Sequence, residues 1–153
     1  MGSIRIEIEY PHPPERVWTA ITDPRAIAEW LMPNDFAPRL GHRFQFRIPK
    51  PRGWSGVVDC EVTRLEPPHR LAYTWKSDKV DTLVQWTLHA TRVGTRVEFE
   101  HSGFSGVGQT ILRKFMMGPG WNRMLQKVLP GIIERVTPGG FVPGRAKEEC
   151  SNA

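Results

Sequence analysis

Residues 84–101 read VQWTLHATRVGTRVEFEH, and this stretch decides the fold. Val84, Trp86, Leu88 and Ala90 alternate with Gln85, Thr87 and His89; past Val93-Gly94, Val97, Phe99 and His101 alternate with Arg96, Glu98 and Glu100. A period of two with one apolar side marks a half-buried strand, and a connection this short joins its strands antiparallel. Working outward, the same pattern recurs in Leu71, Tyr73 and Trp75, in Val58, Cys60 and Val62, in Phe44, Phe46 and Ile48, and at the start in Ile4, Ile6, Ile8 and Tyr10. Pro67-Pro68 punctuates two of these runs as tightly as Val93-Gly94 does the last two. The pattern predicts an antiparallel meander with one consistently apolar face.

Two other periods interrupt it. Pro11, Pro13 and Pro14 end the first strand, and Pro14-Glu15 suits the first turn of a short helix running through Ala20. Asp23 is placed to cap a second short helix with Pro24 at its first position and Ile27, Trp30 and Leu31 at helical spacing. In the carboxyl third, Trp121, Met124, Leu125, Val128, Leu129, Ile132, Ile133 and Val136 form one stripe of a long helix. Ile111, Leu112, Phe115 and Met116 suggest a helical segment before it, separated by Gly118-Pro119-Gly120. Pro130-Gly131 predicts a kink, since a proline inside a helix costs about 3 kcal/mol. The reading is an α+β chain: a curved antiparallel sheet of six or seven strands wrapped around the long terminal helix, with two short helices after strand one. One domain is expected over residues 1–137, followed by a polar tail at 138–153.

The 153 residues are 39% hydrophobic and 24% charged, ordinary globular values that argue against disorder and fibrous repeats. No apolar run approaches the ~20 residues of a membrane helix, and the charged alternation from Met1 to Glu9 is unlike a signal peptide, so a cytoplasmic protein is expected. Cys60 and Cys150 make neither a disulfide framework nor a Cys-x-x-Cys pair. His12, His42, His69 and His89 lack ligand-like spacing, so neither metal nor cofactor is expected. Nucleophile elbow, phosphate loop, dinucleotide fingerprint and His-Glu-x-x-His run are all missing. The net charge of +5 is concentrated in two stretches: Arg39, His42, Arg43, Arg47, Lys50 and Arg52, then Arg113, Lys114, Arg123, Lys127 and Arg135. With no nucleic-acid module beside them, they read as solvated faces and not as a nucleic-acid surface.

A strongly bent sheet cannot touch one helix along its whole concave side, which predicts a cavity between them. Trp75, Trp86, Phe99, Phe104 and Trp121 are the expected lining, completed by Leu125 on the helix and His101 beside Phe99, with Trp54 at the rim; the alternative is that the rings fill a solid core. His101 and Tyr73 are the candidates for catalysis, the alternative for His101 being a hydrogen-bonded structural residue that secures the strand end beside Ser102-Gly103; Asp59, Glu61, Glu98 and Glu100 fall on the outward side and make poor acid/base candidates.

Several short motifs fall in a telling order: Pro14-Glu15-Arg16-Val17-Trp18, Asp23-Pro24 with Trp30, Gly41 with Phe44, and Glu66-Pro67-Pro68-His69-Arg70-Leu71 with Tyr73 and Trp75. Gly94-Thr95, His101-Ser102-Gly103-Phe104 and Gly120-Trp121 follow. Together they resemble the SRPBCC superfamily and, within it, the branch named after the activator of heat-shock-protein-90 ATPase, over roughly Ile4 to Val136. The resemblance implies the helix-grip fold of START and birch-pollen-allergen proteins, with a deep apolar cavity under the terminal helix. It implies binding of a small hydrophobic or aromatic molecule such as a lipid or polyketide. A cyclase or dehydratase using His101 or Tyr73 is the alternative within the superfamily, and a chaperone partner is implied by the branch's name, although the chain resembles only the carboxyl-terminal domain of the eukaryotic activator. The Gly106 and Gly108 loop, Arg113-Lys114 and Pro130-Gly131 depart from the family pattern.

Overall fold

The computed structural model describes residues 2–49, 53–78 and 80–144; Lys50, Arg52, Cys150 and the tail from 145 lie outside them. The period-two runs become β1 (Gly2–Tyr10), β2 (Arg43–Arg47), β3 (Val57–Glu66), β4 (Arg70–Ser77), β5 (Val80–Ala90) and β6 (Thr95–Phe104). They form one antiparallel sheet in the order β1-β6-β5-β4-β3-β2. Register places Leu71 opposite Trp86, Tyr73 opposite Val84, and Trp86 opposite Phe99, so the apolar residues of each strand meet on one face. Ile48 falls outside β2 and is exposed, as is Ala90 at the end of β5. β1 returns to the edge beside β6, with Ile8 opposite Val97. That return is tight at the β5–β6 turn, where a Cβ on Gly94 would stand 2.0 Å from the Tyr10 carbonyl oxygen; only glycine fits.

Helices α1 (Pro14–Thr22) and α2 (Pro24–Trp30) follow β1. Asp23 caps α2 as expected, its carboxylate accepting from the Arg25 backbone N–H at 2.9 Å. The last helix, α3, runs over residues 106–134 without the break expected at Gly118-Pro119-Gly120. It is α-helical at Gly106–Leu112, Gly118–Arg123 and Leu129–Glu134, and π-helical at Arg113–Met117 and Met124–Val128. Each wide turn lies just ahead of a proline, Pro119 or Pro130. A proline has no N–H to donate and its ring crowds the carbonyl four residues back; widening the preceding turn relieves both problems. The Gly118 and Leu129 N–H groups accordingly reach back five residues, to the carbonyls of Arg113 and Met124. The kink expected at Pro130 thus takes the form of a π turn before it.

The chain does not leave the core at residue 137. Val136–Thr137 and Gly140–Phe141 pair as β7 and β8, and Phe141 is buried beneath the Arg135 guanidinium, 4.9 Å from the ring centre. The packed unit therefore extends at least to Phe141. Trp121, Leu125, Leu129, Ile132 and Ile133 present α3's buried stripe to the curved sheet, giving the helix-grip arrangement.

Candidate functional site

The seven residues expected to line a site come together in one interior cluster. Trp75 stands on β4, Trp86 on β5, Phe99, His101 and Phe104 on β6, and Trp121 and Leu125 on α3; all are buried. Phe99 and Trp121 have ring centres 4.5 Å apart, Trp86 and Phe99 4.8 Å, Trp75 and Trp121 5.4 Å, and His101 and Phe104 4.7 Å. The open hollow expected between sheet and helix is thus occupied by rings in edge and tilted contact. The cause is volume: three indoles and two phenyl rings from opposite walls meet across the gap that bending the sheet creates. Trp54 lies half-buried against the same core.

One member of the cluster was missed. Trp30, at the end of α2, lies 5.7 Å from Trp86 and 6.3 Å from Trp121, with its indole N–H on the Ala20 carbonyl at 2.9 Å. Its helical spacing was evident; what that face would meet depended on how α2 folds under the sheet.

At the centre, hydrogen bonds fix the state of His101. The indole N–H of Trp121 can only donate, and it points at His101 Nδ1, 3.0 Å away. Nδ1 must then accept, so the proton of the neutral ring sits on Nε2 and is donated to Thr82 Oγ1 at 2.7 Å. The Thr82 hydroxyl in turn donates to the Trp75 carbonyl at 2.9 Å. The chain Trp121, His101, Thr82, Trp75 is complete, and it stitches α3 to three strands. Burial lowers the His101 pKa to about 3, so the ring is neutral at physiological pH. With its one lone pair taken by Trp121, the imidazole has none left to receive a substrate proton.

Tyr73 lies in a neighbouring lobe, its ring 5.5 Å from Phe44 and 6.3 Å from Phe46. Its oxygen accepts the Trp86 indole N–H at 3.2 Å, which links the two lobes. Burial pushes its pKa up, keeping the phenol protonated. Among the described residues none accepts that phenol proton. Asp59, Glu61, Glu98 and Glu100 face outward, as expected: clefts of about 560 Å³ and about 490 Å³ on the sheet's polar side are lined by these acids and their basic and amide neighbours. Among the described residues no three His, Cys, Asp or Glu gather as a metal site would need.

Above the cluster, α3 changes character along its length. From Trp121 onward it buries its stripe, but Gly106–Leu112 and Arg113–Met117 bury no residue at all. The first half of the helix therefore contributes little to the core and rests on the start of β1, where the Arg113 guanidinium reaches the Ser3 carbonyl at 3.4 Å.

Residues 11–134 match the family described as activator of Hsp90 ATPase homolog 1-like protein. Among curated proteins no relative matches. Among solved structures, protein MLL2253 of Mesorhizobium loti is 36% identical, with a TM-score of 0.77, over 89% of this chain and 99% of its own. CalU16 of Micromonospora echinospora is 30% identical, with a TM-score of 0.67, over 86% of this chain and 74% of its own. DynU16, from the dynemicin biosynthetic locus, is 25% identical, with a TM-score of 0.70, over 91% of this chain and 49% of its own. With the helix-grip architecture and a family match over most of its length, the chain belongs to the activator of Hsp90 ATPase homolog 1-like branch of the SRPBCC superfamily.

Proposed function

We propose that this chain binds a small, flat, largely apolar molecule carrying an oxygen acceptor, taken up between the sheet and α3. Its rings would stack against Trp75, Trp86, Phe99, Phe104 and Trp121, with Leu125 and His101 as fixed walls and the unspent Tyr73 phenol proton as polar anchor. The observation that carries this reading is the union of a dense aromatic cluster with a helical segment, residues 106–117, that fully buries no side chain and that this reading makes its cover. Lifting the cover sacrifices few buried contacts, while the anchored half of α3 stays in place. The fold is one suited to ligand binding, and likeness to a protein from a biosynthetic locus favours a small-molecule ligand.

Binding is favoured over turnover because His101 is saturated by Trp121 and Thr82 and acts as a brace. The test is intrinsic tryptophan fluorescence and native mass spectrometry against a panel of polyketides, polyphenols and lipids. Saturable quenching with a matching mass adduct is expected, weakened at least ~10-fold by Phe99→Ala, since burial of one aromatic ring contributes more than the ~1.4 kcal/mol of a tenfold change. Absence of saturable binding in both measurements would overturn the reading. Conversion of a bound compound that requires Tyr73 would replace it with an enzyme.

A further inference from the structure

Seen from outside, the first half of α3 is an apolar surface facing water. Of the eight large hydrophobic side chains exposed among the described residues, four fall within ten positions: Val107 at 79% exposure, Ile111 at 53%, Phe115 at 74% and Met116 at 67%. Val107, Ile111 and Phe115 are spaced four apart, so they share one side of the helix. Core packing does not require them there, because nothing in Gly106–Met117 is buried. Contiguous apolar exposure of this kind marks a contact surface.

The charge around it is one-sided. From His101 to Ile133 the sequence contains no Asp or Glu. Arg113 is spent inward, its guanidinium against Gly2 and on the Ser3 carbonyl at 3.4 Å. Lys114, Arg123 and Lys127 are exposed on α3, and none pairs with a carboxylate among the described residues. The outer side of the helix thus carries protruding apolar groups at its start, one lysine among them, and further cations along the next two turns.

We propose that this side of α3 docks on an anionic lipid surface, with Val107, Ile111, Phe115 and Met116 inserted at the headgroup boundary and Lys114, Arg123 and Lys127 on the lipid phosphates. Two features select this occupant. The apolar groups project from a convex helix, which suits a deformable lipid layer; a folded protein partner would need a matching groove. A second copy meeting the same face about a two-fold axis would bring the cations of both copies together with no carboxylate between residues 101 and 133 to offset them. The arrangement is that of an interfacial amphipathic helix, lying on a membrane without crossing it. It uses the outer side of α3 and stands independently of whether the interior takes a ligand.

Co-sedimentation with vesicles tests it. The chain should partition onto phosphatidylcholine vesicles containing one third phosphatidylglycerol, far less onto phosphatidylcholine alone, and less as salt rises. Lys114→Gln, Arg123→Gln and Lys127→Gln should each weaken partition about fivefold, and Phe115→Ser or Ile111→Ser about tenfold. All five positions are exposed, so each variant should keep the wild-type Tm. Failure to bind the anionic vesicles, or equal binding by wild type and these variants, would overturn the proposal. So would a dimer in light scattering that Phe115→Ser converts to monomer while vesicle binding is absent.

Discussion

His101 shows how much a single buried imidazole can decide. Its neutral form is the one that accepts from Trp121 and donates to Thr82. Its folded pKa of about 3 lies below the ordinary 6.5, so the folded state binds a proton less readily than the unfolded chain. The contribution is fully present above pH 6.5 and is lost as pH falls from 6.5 toward 3, at up to about 1.4 kcal/mol per pH unit. Urea midpoints between pH 7 and pH 4.5 should fall more steeply for the wild type than for His101→Gln, which offers an acceptor and a donor without titrating; equal slopes would remove His101 as the source. Strand alternation revealed that His101 points inward. Its partners were not legible, because Thr82 is reached only through the β5–β6 register, which sets Val84 opposite His101, and Trp121 only through the docking of α3.

Along α3, Pro130 leaves a carbonyl without a partner that a different strand then serves. Leu129 reaches back five residues to Met124, so the next group to be served is the Leu125 carbonyl, and Pro130 has no N–H to give it. Tyr10, at the end of β1, donates its hydroxyl to that oxygen at 2.6 Å in the buried interior. Tyr10→Phe should therefore cost about 1–3 kcal/mol in urea unfolding, the penalty of an unsatisfied buried acceptor. The loss should shrink in a Pro130→Ala background, where an amide proton is restored; additive effects would show that the two positions are uncoupled. The sequence marked Pro130 as a disturbance and Tyr10 as inward-facing. Linking them required the wide turn, since neither period nor propensity states which carbonyl a proline orphans across 115 positions of chain.

The molecule as a whole divides into a firmly held body and a sparsely packed first half of α3. Amide hydrogen exchange should be fast over residues 106–117 and slow over 121–134; uniform protection along α3 would contradict the cover assigned to its first half. The sheet, the two short helices and every cluster member but Trp30 were foreseeable from spacing, because burial imposes its period directly on the residues; the unbroken course of α3 through Gly118-Pro119-Gly120 was not. Nor was the β7–β8 hairpin: two-residue strands around Pro138-Gly139 have no period to read, and Phe141-Val142 is a short apolar pair among turn formers. One tie binds the beginning to that end. Arg16 on α1 donates through Nε to the Val136 carbonyl at 2.7 Å and through Nη2 to the Glu134 carbonyl at 3.0 Å, a link spanning 120 positions. A ribosome delivers about 5–20 residues per second, so α1 must wait on the order of ten seconds before the segment it clasps has emerged. Native closure thus waits on the synthesis of Val136, and until then the nascent chain carries aromatic side chains in need of shelter.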